Sequence, residues 1–159
     1  MVIVLMGVSG SGKTTVGELL AKRLGAEFAE GDSYHPPENV DKMRRGVPLD
    51  DNDRRPWLEA MRAAIDRWLA ANKTVVLACS ALKQRYRDVL AQGRPDVRFV
   101  YLKGDEALLR SRLEKRRGHY MPARLLASQI ATLEEPADAI TVDIDRSPEA
   151  IAAEICRRL

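Results

Sequence analysis

A chain of 159 residues, 45% hydrophobic and 31% charged, is long enough to bury a core without staples and has the balance of a globular domain. Its formal charge of +3 is too mild for a nucleic-acid binder, which carries a basic stripe separate from any phosphate site. The two cysteines, Cys79 and Cys156, lack metal-ligand spacing, which predicts buried free thiols, and no apolar stretch approaches membrane-spanning length.

The first predicted element is a buried strand over 2–6 (VIVLM), closed by Gly7. This apolar run has neither a basic lead nor a cleavage site, so it reads as a strand and not a signal peptide, and a cytoplasmic location is the expectation. Residues 7–14, GVSGSGKT, match G-x-x-x-x-G-K-[ST] at Gly7, Gly12, Lys13 and Thr14. Glycines let backbone N–H groups turn inward around a phosphate, and the following helix aims its positive end at the same place. Lys13 can reach the β- and γ-phosphates and the Thr14 hydroxyl can ligate Mg²⁺. The motif lies between an apolar strand and a helix predicted over 14–24, with Gly25 as its stop. That context separates it from a chance glycine-rich turn.

A short second strand is expected around 27–29, followed by GDSYHPPENV, which sets Asp32 three residues before His35. Asp32 is the nearest carboxylate for Mg²⁺ and is placed to approach an acceptor hydroxyl, although a Gly-Asp turn is the plain alternative. A short helix is predicted to end at Gly46, and VPLDDNDRR reads as a polar loop. Pro56 is expected in the first turn of the next helix, whose stripe is Leu58, Met61, Ile65 and Leu69. A third strand over 74–79 lacks the terminal acid of a usual Walker B strand, and Ser80 is expected to cap the helix after it. CSALKQRYRD contributes Ser80, Lys83, Arg85 and Arg87, groups that would suit a small, polyhydroxylated, anionic acceptor.

A fourth strand over 97–102 precedes a helix over 106–116 with Asp105 as cap. Arg110 and Lys115 read as solvated helix charges. Arg112, Arg116 and Arg117, gathered before Gly118, suit a lid at about 116–124 that closes over a triphosphate, with His119 at its hinge. A helix from Pro122 to about Leu133, a fifth strand over 140–144, and a last helix with Ser147 as cap and Pro148 at its first position complete the chain. Five apolar strands alternating with helices predict an α/β fold, a parallel sheet wrapped on both faces, over a single domain 1–159. Gly7, Asp32, Ser80, Lys103 and Asp145 all follow predicted strand ends, where such folds bind ligands.

GVSGSGKTT, GDSYHPPENVDKM, PLDDNDRRPWL, CSALKQRYRD, YLKGD and RLEKRRGHYM, in this order through nearly the whole chain, closely resemble the gluconokinases of the small P-loop type. The resemblance implies the three-layer P-loop kinase fold shared with shikimate and nucleoside-monophosphate kinases, and ATP-dependent phosphorylation of D-gluconate to 6-phospho-D-gluconate with Mg²⁺. Carried onto this sequence, the ATP site would be Gly7, Val8, Ser9, Gly10, Ser11, Gly12, Lys13, Thr14 and Thr15. Arg112 and Arg116 would be lid arginines, and Asp145 with Arg146 the adenine edge. Lys13, Asp32 and Arg116 would carry catalysis, with Thr14 and Asp32 at the metal. His35, Arg54, Ser80, Lys83, Arg87 and His119 would contact the acceptor. Many members of the family are homodimers, an assembly these residues do not themselves require. Against a shikimate-type kinase stands DSYH in place of D-x-D, without the second carboxylate. A nucleotide-binding module without turnover would leave Asp32 and the arginine cluster unexplained.

Overall fold

The computed structural model describes residues 1–115 and 123–159. Five parallel strands, β1 (Val2–Met6), β2 (Glu27–Glu30), β3 (Val75–Ala78), β4 (Val97–Lys103) and β5 (Ile140–Asp143), form one sheet in the order β2-β3-β1-β4-β5. The described helices are α1 (Lys13–Leu24), α2 (Pro37–Arg44), α3 (Asp51–Ala70), α4 (Gln84–Ala91), α5 (Glu106–Lys115), α6 (Ala123–Thr132) and α7 (Pro148–Arg158). Side chains alternate across a strand, so β1 feeds two cores. Ile3 and Leu5 join Val16 and Leu20 of α1 and Ile151 and Ile155 of α7 on one face. Val2, Val4 and Met6 join Trp57, Met61 and Ile65 of α3 and Leu90 of α4 on the other. The predicted parallel sheet, covered on both faces, is the one observed.

The order also locates the ligand crevice. After β1 the chain crosses by α1 to β2 on one side, whereas after β3 it crosses by α4 to β4 on the other. The loops leaving β1 and β3 therefore part at their carboxyl ends, the topological switch at which open α/β sheets bind ligands. The two loops are tied at their base, where Gly7 N–H donates to Ser80 O at 3.3 Å.

Two local expectations are corrected. α3 starts five residues before Pro56, because Asp50 and Asp53 form a reciprocal capping box: Asp53 N–H donates to Asp50 Oδ1 at 2.8 Å and Asp50 N–H to Asp53 Oδ2 at 3.0 Å. Satisfying two otherwise orphaned donors anchors the start firmly, and Pro56 is carried inside the helix. Ser80 caps nothing, since α4 begins only at Gln84 behind Lys83. Ser80 and Leu82 of the released segment line the crevice instead. Asp105 and Ser147 do cap their helices, accepting from Leu108 N–H at 2.8 Å and Ala150 N–H at 3.2 Å. Cys79 is buried, and burial pushes its thiol up to about 12, while Cys156 is half-buried; both are free. Among the described residues no helix is long and apolar enough to cross a membrane.

Candidate active site

The phosphate loop owes its shape to backbone conformations few residues tolerate. Gly12, the residue before α1, sits at φ 92° and offers no side-chain cap, so the first N–H groups of α1 remain open to an anion. Ser11 N–H donates to Val8 O at 3.2 Å, closing the turn. Lys13 Nζ lies along the loop, 2.9 Å from Gly7 O and 3.1 Å from Val8 O. Ser9 N–H donates at 2.7 Å to Oε1 of Gln129 on α6, a contact without a local sequence signal because 120 residues separate the partners.

A cleft runs along one side of Gly10, Ser11, Gly12 and Thr15, with Arg112, Arg146 and Pro148 opposite. Arg112 joins the walls: Nη2 donates to Ile144 O at 2.7 Å and Nη1 approaches Gly10 O at 3.5 Å. Arg146 is oriented by Glu154 and by Ala150 O. Asp145 is exposed, outside that cleft lining. Arg116, Arg117 and His119 lie within residues 116–122, outside the described residues, as does the lid expected at 116–124 except for its last two positions, which begin α6.

On the other side of Lys13, a second cleft gathers Ser9, Asp32, His35, Arg54, Trp57 and Ser80. Asp32 reaches it through a 3₁₀ turn (Gly31–Tyr34) that starts where β2 ends. The turn passes so close to β3 that a Cβ on Gly31 would stand 2.4 Å from Ala78 O, so only glycine serves between Glu30 and Asp32. His35 stacks on Trp57, with ring centroids 4.3 Å apart and planes within 11°. Trp57 is itself tied by Nε1–H to Gly31 O at 2.9 Å. Burial, reinforced by the Arg54 charge and opposed by Asp32, lowers the His35 pKa to about 4, so its ring is neutral near pH 7. Arg54 Nη1 donates to Tyr86 Oη at 3.0 Å.

Asp32, His35, Arg54 and Ser80 thus come together as expected, but two proposed acceptor contacts do not join them. Arg87 is buried and spends its guanidinium on the chain: Nη1 donates to Ala81 O at 2.7 Å and Leu82 O at 3.2 Å, and Nη2 to Glu134 O at 2.7 Å. It shapes the loop after β3. Lys83 Nζ lies 3.3 Å from Asp51 Oδ1, in a cluster where Arg85 and the Tyr86 hydroxyl also meet Asp51. That cluster fastens the start of α4 to the start of α3 and meets the cleft only through Arg54, while Lys83 is not among the cleft's lining residues.

Sequence reading passed over Glu30. Its Oε2 accepts from Thr14 Oγ1 at 2.6 Å, and burial raises its pKa, with Asp32 adding to the rise and the Thr14 hydrogen bond opposing it. A second acid therefore stands before Asp32 in the order Glu-Gly-Asp, and its absence after Asp32 does not separate this site from a shikimate-type one. The strand-end position of Glu30 was the signal that could have found it.

An AAA domain family model matches residues 2–136. The thermoresistant gluconokinase of Escherichia coli (strain K12) is 46% identical over 156 residues, covering 96% of this chain and 89% of that one. Among solved structures, a sugar kinase from Janibacter sp. HTCC2649 superposes with a TM-score of 0.92 at 46% identity, over 98% of this chain and 92% of its own. A gluconokinase from Sinorhizobium meliloti 1021 does so with a TM-score of 0.84 at 48% identity, over 96% and 87%. With these full-length similarities beside a phosphate loop and an acid-bearing acceptor cleft, the chain belongs to the gluconokinase family of P-loop kinases.

Proposed function

We propose that this protein transfers the γ-phosphoryl group of ATP to D-gluconate, giving 6-phospho-D-gluconate and ADP. The observation that carries this reading is the placement of Lys13 between a phosphate loop and a cleft holding Asp32, His35 and Arg54, in a chain similar throughout to gluconokinases. Loop N–H groups and Lys13 hold the triphosphate, and Arg112 and Arg146 border the rest of the nucleotide. The Arg54 guanidinium is suited to the substrate carboxylate, and Ser80 to a hydroxyl.

In the reaction the acceptor oxygen bonds to the γ-phosphorus while the bond to the ADP oxygen breaks. Asp32 orients the acceptor hydroxyl and receives its proton. Mg²⁺ would neutralise charge on the phosphates and be held through Thr14 and the carboxylates of Glu30 and Asp32. The fit is chemical: these are hard oxygen donors, few in number, as suits an ion whose remaining ligands are phosphate and water. Thr14 and Glu30 are already joined by a short hydrogen bond, so the Glu30 carboxylate stands beside the hydroxyl that would reach the metal. Coupled ADP release on purified protein tests the reading. Gluconate-dependent turnover that requires both ATP and Mg²⁺ supports it; ADP release indifferent to gluconate rejects it.

A further inference from the structure

Asn39 is almost fully buried, at 2% exposure, which is unusual for an amide and calls for partners on its polar atoms. Its Nδ2 lies 2.7 Å from the backbone carbonyl of Asp53 and 3.1 Å from Nδ1 of His35. A carbonyl only accepts, so the atom facing Asp53 O must be the NH₂ group, and this fixes which way the amide points. The second N–H of that group then faces His35. An imidazole nitrogen that receives a hydrogen bond must present its lone pair, so in the neutral ring the proton sits on Nε2.

The chain of constraint is continuous. Asp53 is immobilised by the capping box of α3 and by Lys42 Nζ at 3.0 Å. The plane of the His35 ring is set by its stack on Trp57. With Nδ1 occupied and the plane fixed, Nε2–H is the polar group His35 retains for the cleft it lines.

We propose that Asn39 is a positioning residue that locks His35 in its Nε2–H tautomer, making His35 a hydrogen-bond donor to an acceptor oxygen of the sugar acid. The inference rests on the reading of that cleft as the acceptor site. It also divides the labour: a ring already protonated on Nε2 cannot take the proton of the acceptor hydroxyl, and proton removal falls to Asp32 alone.

Long-range ¹H–¹⁵N correlation spectra of the full chain at pH 7 read the tautomer directly. The protein has two histidines, so the set of signals lost in His35→Gln belongs to His35. The expected spectrum shows Nδ1 unprotonated and Nε2 protonated. Asn39→Asp puts an acceptor opposite Nδ1 and should move the proton there, with kcat/KM for gluconate falling roughly 10–100-fold, the usual cost of losing an outer partner of a site residue, and the KM for ATP unchanged. His35→Gln, which keeps an N–H at the reach of Nε2, should retain more activity than His35→Leu. An Nδ1–H or doubly protonated ring in the unaltered protein overturns the proposal, whether or not the variants fold. The spectrum needs no substrate, so it stands or falls separately from gluconate turnover.

Discussion

The phosphate wall of the site is made from one uninterrupted stretch, residues 7–15, whereas the acceptor wall is assembled from separated segments that carry Asp32, His35, Arg54 and Ser80. The first works through backbone N–H groups and a helix end, so its geometry follows from glycine positions, with Gln129 and Ser80 bracing it from outside. The second works through side chains, two of which are held across the fold: Arg54 by Tyr86, and the His35 ring by Trp57, itself tied to Gly31, with Asn39 one helical turn away. A contiguous backbone device serves any nucleoside triphosphate. Specificity for one acceptor has to come from the distributed wall.

If the walls divide their work in this way, damage to each should leave a different kinetic trace. Asp32→Asn should lower kcat by about 10²–10⁴-fold, the range for a positioned acid or base, while ATP binding measured by calorimetry persists. A near-normal kcat would remove Asp32 from the chemistry. Lys13→Ala should reduce turnover by roughly 10²–10³-fold, as for loss of one preorganised donor to transition-state charge, and do so with any acceptor tried. Glu30→Gln keeps an oxygen for Thr14 but removes the charge. The Mg²⁺ concentration for half-maximal activity should then rise about 10–100-fold, and an unchanged Mg²⁺ titration would exclude Glu30 from the metal site.

How much of this was legible beforehand follows the same division. The continuous apolar run VIVLM, the glycines of GVSGSGKT and the caps Asp105 and Ser147 are local signals, and the structure has each element where they put it. The start of α3 was misjudged because Pro56 and the charged run before it outweighed a capping box spelled with two aspartates, Asp50 and Asp53. Lys83 and Arg87, expected at the acceptor, instead have their partners elsewhere, for another reason. From sequence a cation near a binding motif looks available, but whether it is already committed depends on Asp51, or on the carbonyls of Ala81, Leu82 and Glu134, and only the fold brings these together. Glu30 shows the converse: an acid at a strand end gained meaning once Thr14 was seen 2.6 Å away.

Smaller effects sharpen that distinction between working and supporting groups. Arg87→Met should destabilise the fold by about 1–3 kcal/mol, since carbonyls it now satisfies lose their donor, with the KM for gluconate unchanged where the variant is folded. A raised KM without a shift in urea midpoint would restore Arg87 as a substrate contact. His35 sets a pH dependence of stability. Its pKa is lowered on folding from 6.5 to about 4, so below 6.5 the unfolded ring binds a proton that the folded ring refuses. The stability it contributes is full above pH 6.5 and is lost as pH falls toward 4. Urea midpoints across that window should fall more in the unaltered protein than in His35→Gln, and parallel curves would contradict a buried neutral ring.

The central claim is that the distributed wall selects a sugar acid. ADP release measured with saturating MgATP over a panel of D-gluconate, shikimate and nucleoside monophosphates tests it most directly. The account predicts turnover with gluconate far above that with the others. Inert gluconate beside efficient phosphorylation of shikimate or a nucleotide would contradict it.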